Sequence, residues 1–184
     1  EAVACYYIIT TSEVSSNMAR FDSSRFGQVT EKSLSESANW HQFIGLNRGE
    51  LLGKEVTRRI VMGTFCLSSG YYDAYYAKAQ KVRAGIKKKL AAIFEKYPLI
   101  FTPTSPDLPF KIGERMNDPV KMYLADAFTT SANLAGIPAI SVPIGKTSLG
   151  GKALSIGGQL MANAWDEKTL LRGAYWTEKI LAEK

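Results

Sequence analysis

The sequence has few of the residues on which histidine and cysteine chemistry depends. It contains one histidine, His41, and two cysteines, Cys5 and Cys66. A single histidine nearly excludes a histidine-based metal site and a Ser-His-Asp triad. The two cysteines fit no metal-binding spacing, so two buried thiols in a reducing compartment are the favoured interpretation. We therefore expect a cytoplasmic protein, with an organellar location as the alternative.

Long hydrophobic runs are also missing. No apolar run approaches the ~18 residues of a membrane span, and no signal-peptide pattern is visible. Hydrophobic residues make up 46% and charged residues 22% of the 184 positions, which is the composition of an ordinary globular protein. We expect no membrane partner. Because the chain starts without methionine, in a segment that resembles the middle of a strand, we also expect it to be part of a longer protein.

The chain carries an excess of basic residues, with a formal net charge of +6. The densest basic cluster is 87–89, which lies on a predicted amphipathic helix. A solvated helix face is the favoured explanation for such a cluster. The alternative is a nucleic-acid patch, although no zinc-finger spacing and no aromatic-basic interleaving of the RNA-binding type is present. At long range the charge could still favour a complex that carries nucleic acid.

The N-terminal quarter is predicted to contain one strand, one short helix and a long loop. Residues 4–10 are rich in tyrosine and isoleucine, which indicates a strand. Thr11 or Ser12 could cap a short helix that runs to about residue 20. Residues 21–49 are predicted to be mostly loop on composition.

The rest of the chain alternates between predicted helices and strands. Amphipathic spacing predicts two long helices, and apolar runs between turn residues predict the strands. This alternation indicates an α/β layered fold. The predicted helices are 56–67, 72–97 and 166–182, and the predicted strands are 99–102 and 153–161.

One stretch in the middle of the chain has the clearest boundaries. Asp118 is the predicted N-cap of a helix, with Pro119 at its first position. Gly136 occupies the position at which a left-handed residue ends a helix, and Pro138 prevents the helix from continuing. A short buried strand, 139–142, is predicted to follow.

This stretch also carries a recognisable motif. Its second half reads Asn-Leu-Ala-Gly-Ile-Pro-Ala-Ile-Ser-Val-Pro-Ile-Gly over residues 133–145. The run resembles the C-terminal half of the amidase signature family. A second stretch, 53–76, narrows the resemblance to the glutamine-hydrolysing A subunits of tRNA-dependent amidotransferases. The resemblance implies a mixed β-sheet between layers of helices, with residues 1–184 forming the C-terminal part of a single amidase domain.

The resemblance assigns substrate-binding roles to three residues. Arg59 matches the arginine that holds the α-carboxylate of glutamine, and a planar guanidinium suits a carboxylate. Asp126 matches the aspartate that pairs with the α-ammonium, and Tyr6 matches a tyrosine close to the bound glutamine. Each residue has a simpler explanation. Arg59 could form a surface pair with Glu55 at i−4, Asp126 could be solvated or bonded to neighbouring threonines, and Tyr6 could pack.

The family's catalytic residues are not found in this chain. Family members use a lysine, a serine in cis peptide linkage and a nucleophilic serine on a Gly-Ser-rich motif. No such motif occurs in these 184 residues, and Ser68-Ser69-Gly70 resembles it only superficially. We therefore assign no catalytic residue to this chain. We expect Gly63, one turn beyond Arg59, to leave room for a ligand.

The resemblance implies a function for the intact protein. Glutamine would be hydrolysed to glutamate and ammonia, and a partner subunit would use the ammonia to amidate Glu-tRNA(Gln) or Asp-tRNA(Asn). The expected partners are the B and C subunits, with ATP, magnesium and misacylated tRNA bound mainly outside this chain and no cofactor within it. Two alternatives remain, namely a stand-alone amidase for another small amide and a non-catalytic assembly module.

Overall fold

The computed structural model describes residues 1–115 and 118–183. The chain divides into two compact units, one formed by Glu1–Tyr6 with the chain from Lys81 onward, the other by Tyr7–Gln80. The elements are, in chain order, helices α1 (Ala2–Met18), α2 (Glu31–Glu36), α3 (Trp40–Leu51) and α4 (Lys54–Leu67), a π-helical segment (Asp73–Ala77) that leads into α5 (Lys78–Phe94), strand β1 (Leu99–Pro103), helices α6 (Pro119–Leu124) and α7 (Thr130–Ala135), strands β2 (Ala139–Leu149) and β3 (Lys152–Ala162), and helix α8 (Glu167–Ala182).

The three described strands form one sheet in the order β1-β3-β2, with both pairings antiparallel. Helices and sheet together give the α/β class that the sequence predicts. One face of the sheet packs against α8 through a small apolar core, which consists of Val142, Leu160, Ala162, Leu170 and Ala174. Asp166 caps α8 as predicted, because its side chain accepts a hydrogen bond from the Thr169 N–H.

β2 is longer than the predicted strand 139–142. Pro143 does not end the strand, because β2 is at the edge of the three-stranded sheet, where a missing N–H is tolerated. An irregularity in the register between Pro143 and Gly145 absorbs the misfit, and pairing with β3 continues to Leu149.

The predicted caps around the central stretch are confirmed, but its helix is not continuous. Asp118 accepts from the Lys121 N–H at 2.9 Å, and Gly136 is left-handed with φ 68° and ψ 45°. Residues 125–129 form a turn that separates α6 from α7. The N–H groups of residues 125–127 each bond the carbonyl three positions back, which tightens the chain away from α-helical geometry.

The prediction of a strand at residues 4–10 was wrong, because these residues lie within α1. The buried positions of α1 include Cys5, Ile9 and Ser12, which recur at helical spacing. Thr11 and Ser12 can be buried because their hydroxyls donate to the carbonyls of Tyr7 and Ile8, each at 2.7 Å. Burial of this face outweighs the strand preference of the β-branched residues.

The predicted loop 21–49 contains two helices, α2 and most of α3. Thr30 caps α2 by accepting from the Ser33 N–H at 3.1 Å, and Asn39 caps α3 by accepting from the Gln42 N–H at 3.0 Å. The fully buried Asn47 joins them, since its Oδ1 accepts from the Thr30 N–H at 2.8 Å. Polar side chains therefore order a segment that composition alone marks as loop.

The basic cluster and the two cysteines agree with the sequence-based expectations. The basic residues 87–89 are exposed on α5, as a solvated face requires. Cys5 and Cys66 are buried and do not form a disulfide, and burial raises the pKa of both thiols. Neither thiol is therefore activated as a nucleophile. Within the described ranges, no helix combines the length and apolar character needed to cross a bilayer.

Candidate functional site

Arg59 lies in the second turn of α4 and is tied to Glu55. The helix places residues 55, 58 and 59 on one side, because positions three and four apart are neighbours. The Arg59 Nε–H donates to Glu55 Oε1 at 2.9 Å, and Arg58 donates to both oxygens of the same carboxylate at 2.8 and 2.9 Å. The hydrogen bonds from Arg58, followed by the single hydrogen bond from Arg59, lower the pKa of the Glu55 carboxyl to about 2.

The pair with Glu55 leaves part of the Arg59 guanidinium available. The two terminal nitrogens of Arg59 have no hydrogen-bond or ion-pair partner in the described part of the chain. The side chain is 35% exposed. The surface pair predicted with Glu55 is therefore present, and it is compatible with binding a carboxylate through the terminal nitrogens.

The expectation that Gly63 leaves room for a ligand was wrong. Gly63 is buried, and a methyl group added there would overlap the Thr11 carbonyl oxygen and lie 2.8 Å from Ser15 Cβ. The same contact includes a hydrogen bond of 2.8 Å between the hydroxyls of Ser15 and Thr64. The space beside Gly63 is thus filled by α1.

Asp126 lies on the turn between α6 and α7 and is exposed to solvent. Its backbone carbonyl accepts hydrogen bonds from the N–H groups of Thr129 and Thr130 and from the Thr129 hydroxyl at 3.2 Å. Its carboxylate has no hydrogen-bond or ion-pair partner among residues 1–115 and 118–183. The threonines therefore hold the backbone of the turn and leave the charge of Asp126 free for an external cation.

A buried glutamine holds this turn against the sheet. Gln159 on β3 is 4% exposed, and its Nε2 donates to Thr102 Oγ1 at 3.2 Å and to the Phe128 carbonyl at 3.1 Å. Thr102 and Ser141 are its register partners on β1 and β2, so the three polar residues form one row. Sequence reasoning missed Gln159, because only the strand register brings it to the turn that carries Asp126.

Tyr6 is half-buried in α1, not on a strand. It belongs to the same compact unit as Asp126, whereas Arg59 belongs to the other unit. The grouping of these three residues in one glutamine pocket therefore stays a prediction. So does the role of Tyr6.

A pocket elsewhere in the chain contains none of these residues. It has a volume of about 230 Å³ and is lined by part of the segment 21–28 and by residues at and just after the C-terminal end of α3. Its main polar groups are already used, since Arg48 donates to the carbonyls of Met18 and Phe21 at 2.7 and 2.9 Å. Among the described residues, no three His, Cys, Asp or Glu side chains are grouped so as to hold a metal ion.

The chain matches a protein-family model and several relatives of known name. Residues 1–171 match the model described as Amidase. The chain is 48% identical over 179 residues to the A subunit of glutamyl-tRNA(Gln) amidotransferase from Campylobacter concisus, an alignment that covers 97% of the chain and 38% of that relative. It is 47% identical over 178 residues to the subunit of the same name from Methanosarcina mazei, which covers 97% and 36% respectively. The chain therefore spans little more than a third of the length of these relatives.

Solved structures support the fold. A protein from a vestigial complex related to the origin of an s-triazine catabolic enzyme matches with a TM-score of 0.60 and 20% identity, covering 94% of this chain and 32% of that one. A bacterial aryl acylamidase of the amidase signature family matches with a TM-score of 0.60 and 13% identity, covering 95% and 32%. At this level of identity the likeness bears on the fold alone.

Proposed function

The chain belongs to the amidase family, and we propose that it is the C-terminal part of the glutamine-hydrolysing subunit of a tRNA-dependent amidotransferase. The sequence identity to A subunits over almost the whole chain supports this proposal. That identity is the observation that carries it, and two charged groups without a full set of partners, one in each compact unit, fit the proposal. Arg59 offers two terminal nitrogens and Asp126 offers a carboxylate, and an α-amino acid presents a carboxylate and an ammonium group that complement them.

In this proposal the chain supplies substrate-binding residues and the rest of the subunit supplies the catalytic ones. Arg59 binds the α-carboxylate of glutamine, Asp126 binds the α-ammonium, and Tyr6 lies beside the bound molecule. The lysine and serines that break the side-chain amide lie outside residues 1–184. The product ammonia passes to a partner subunit, which uses ATP and magnesium to amidate Glu-tRNA(Gln) or Asp-tRNA(Asn). The B and C subunits are the proposed partners, in the cytoplasm or an organelle.

The Asp126→Asn variant of the intact amidotransferase tests the proposal. The change keeps the shape of the side chain and removes the charge that would pair with the ammonium group. A charge-assisted contact contributes roughly 1.5–3 kcal/mol, so glutamine-dependent amidation should fall by about 10- to 150-fold. Amidation from free ammonia should stay near its original rate, because ammonia bypasses the glutamine site. Both rates are measured side by side, together with a melting curve.

Asp73→Asn is the matched control. Asp73 is also an exposed aspartate, it lies in the π-helical segment, and no role is assigned to it. The Asp73→Asn variant should keep the original rates of both glutamine-dependent and ammonia-dependent amidation. An Asp126→Asn enzyme that uses glutamine normally would refute the ammonium assignment. Loss of both activities together with a lowered melting temperature would assign Asp126 a structural role instead.

A further inference from the structure

We propose that Glu55 is a positioning residue, which holds the Arg59 side chain so that its two terminal nitrogens are kept for the α-carboxylate of the substrate. The inference rests on the proposed function and deepens it. It assigns a role to a side chain that does not itself touch the ligand.

The hydrogen bonds around Glu55 form a fixed frame. Glu55 Oε1 accepts from Arg58 Nη2 at 2.8 Å and from Arg59 Nε at 2.9 Å, while Oε2 accepts from Arg58 Nε at 2.9 Å. Arg58 therefore binds both oxygens of the carboxylate and fixes the plane of the carboxylate group. One of these fixed oxygens then holds Arg59 by its inner nitrogen.

This arrangement selects the edge through which Arg59 can bind. A guanidinium meets a carboxylate bidentately through Nε and one terminal nitrogen, or through both terminal nitrogens. Because Nε is engaged by Glu55, the terminal edge is the one that remains. A long side chain held at Nε has also lost much of its rotamer freedom before the ligand arrives, so less ordering remains to oppose binding.

The charge of Arg59 decides what this edge can attract. The terminal nitrogens share the positive charge of the guanidinium, so the edge favours an anionic group. The carboxyl of Glu55, with its pKa lowered to about 2, stays ionised at neutral pH. A planar α-carboxylate is therefore a ligand that suits the terminal edge of Arg59. A competing effect is repulsion between Glu55 and the ligand carboxylate, but Glu55 is 52% exposed and solvent screens this repulsion.

The test is Glu55→Gln in the intact amidotransferase. The glutamine side chain at position 55 has the same shape as glutamate but no charge, so its hydrogen bonds to both arginines are weaker. The KM for glutamine should rise by roughly 3- to 30-fold while kcat stays within about twofold, because the change affects orientation in the ground state and the transition state alike. Ammonia-dependent amidation and the melting temperature should not change, since an exposed pair contributes little stability. An unchanged or lowered KM would overturn the proposal.

Two controls separate positioning from a general effect of charge. Glu50→Gln removes an exposed glutamate from α3 and should leave KM unchanged. A glutamine analogue with a neutral amide in place of the α-carboxylate should be used equally well by the native enzyme and by Glu55→Gln. If the variant is impaired equally with this analogue, Glu55 does not act through the carboxylate.

Arg59→Lys distinguishes failure of this inference from failure of the proposed function. If Arg59→Lys leaves the KM for glutamine unchanged, the carboxylate assignment itself fails. If Arg59→Lys raises KM and Glu55→Gln does not, only the role of Glu55 fails. If both assignments are correct, adding Glu55→Gln to Arg59→Lys should raise KM by much less than it does alone, because the two residues act as one unit.

Discussion

The contact between α1 and α4 and the contact between α8 and β1 both depend on a glycine, but the neighbouring atoms differ. A methyl group at Gly63 would overlap a backbone carbonyl, that of Thr11. A methyl group at Gly173 on α8 would lie 2.5 Å from the Cδ1 atom of Leu99, which is the tip of a flexible side chain. A backbone atom moves only if its whole helix moves, whereas a leucine methyl can change rotamer.

The difference shows that two kinds of close contact occur in this chain, one rigid and one adjustable. Where main chain meets main chain, the spacing of the elements is fixed by the smallest residue. Where a glycine faces a side-chain tip, the same substitution can be absorbed locally. Alanine scanning of three glycines measures this difference directly. Gly85→Ala on α5, where an added methyl group meets nothing within 4 Å, is the reference for the helix-propensity gain.

The largest effect is expected for Gly63→Ala. Alanine favours the helix by about 1 kcal/mol over glycine, but the overlap with Thr11 forces α1 and α4 apart. We expect a net loss of roughly 3 kcal/mol or more in the free energy of unfolding, measured by urea denaturation. A variant as stable as Gly85→Ala would show that the helices do not meet through their backbones here.

An intermediate effect is expected for Gly158→Ala on β3. The added methyl group would lie 2.6 Å from the Phe101 ring and 2.7 Å from Ile144 Cγ2. Both neighbours are side chains, and Phe101 is 53% exposed, so its ring can move outward. We expect a loss of about 1–2 kcal/mol by the same measurement. A loss as large as that of Gly63→Ala would place Phe101 and Ile144 in a rigid core.

The smallest effect is expected for Gly173→Ala. Here the helix-propensity gain of about 0.5–1 kcal/mol opposes the cost of displacing the Leu99 tip. The two terms nearly cancel, so the urea midpoint should differ little from that of the unchanged chain. A strong destabilisation would mean that Leu99 cannot change rotamer, and that the contact between α8 and β1 is as rigid as the contact at Gly63.

The sequence predicted those features of the fold that depend on residues close together in the chain, such as helix ends. Gly136 followed by Pro138 marked a helix end, and Asp118 and Asp166 marked helix starts, because caps involve neighbours in sequence. The caps Thr30 and Asn39 carried the same type of signal, but the composition of the segment masked it. α1 could not be found from apolar periodicity, because two of its four buried positions, Thr11 and Ser12, carry hydroxyl side chains.

The candidate site shows the same division. The Glu55–Arg59 pair follows from helical spacing alone, and the sequence predicts it. The support that Gln159 gives to the turn of Asp126 depends on strand register, and the occupant of the space beside Gly63 depends on a contact between distant segments. Neither contact can be predicted from the residues next to it in the sequence. The resemblance to a family supplied Asp126 and Tyr6, which spacing could not have selected.

The contact at Gly63 also limits how this protein can recover from mutation. The obstructing oxygen belongs to the main chain at position 11, and every one of the twenty amino acids carries that oxygen. No single replacement of Thr11 can therefore suppress Gly63→Ala, and trimming Ser15 would relieve only the milder of the two contacts. A genetic screen for second-site revertants should return true reversion to glycine at codon 63. Suppressors at position 11 should be missing among them.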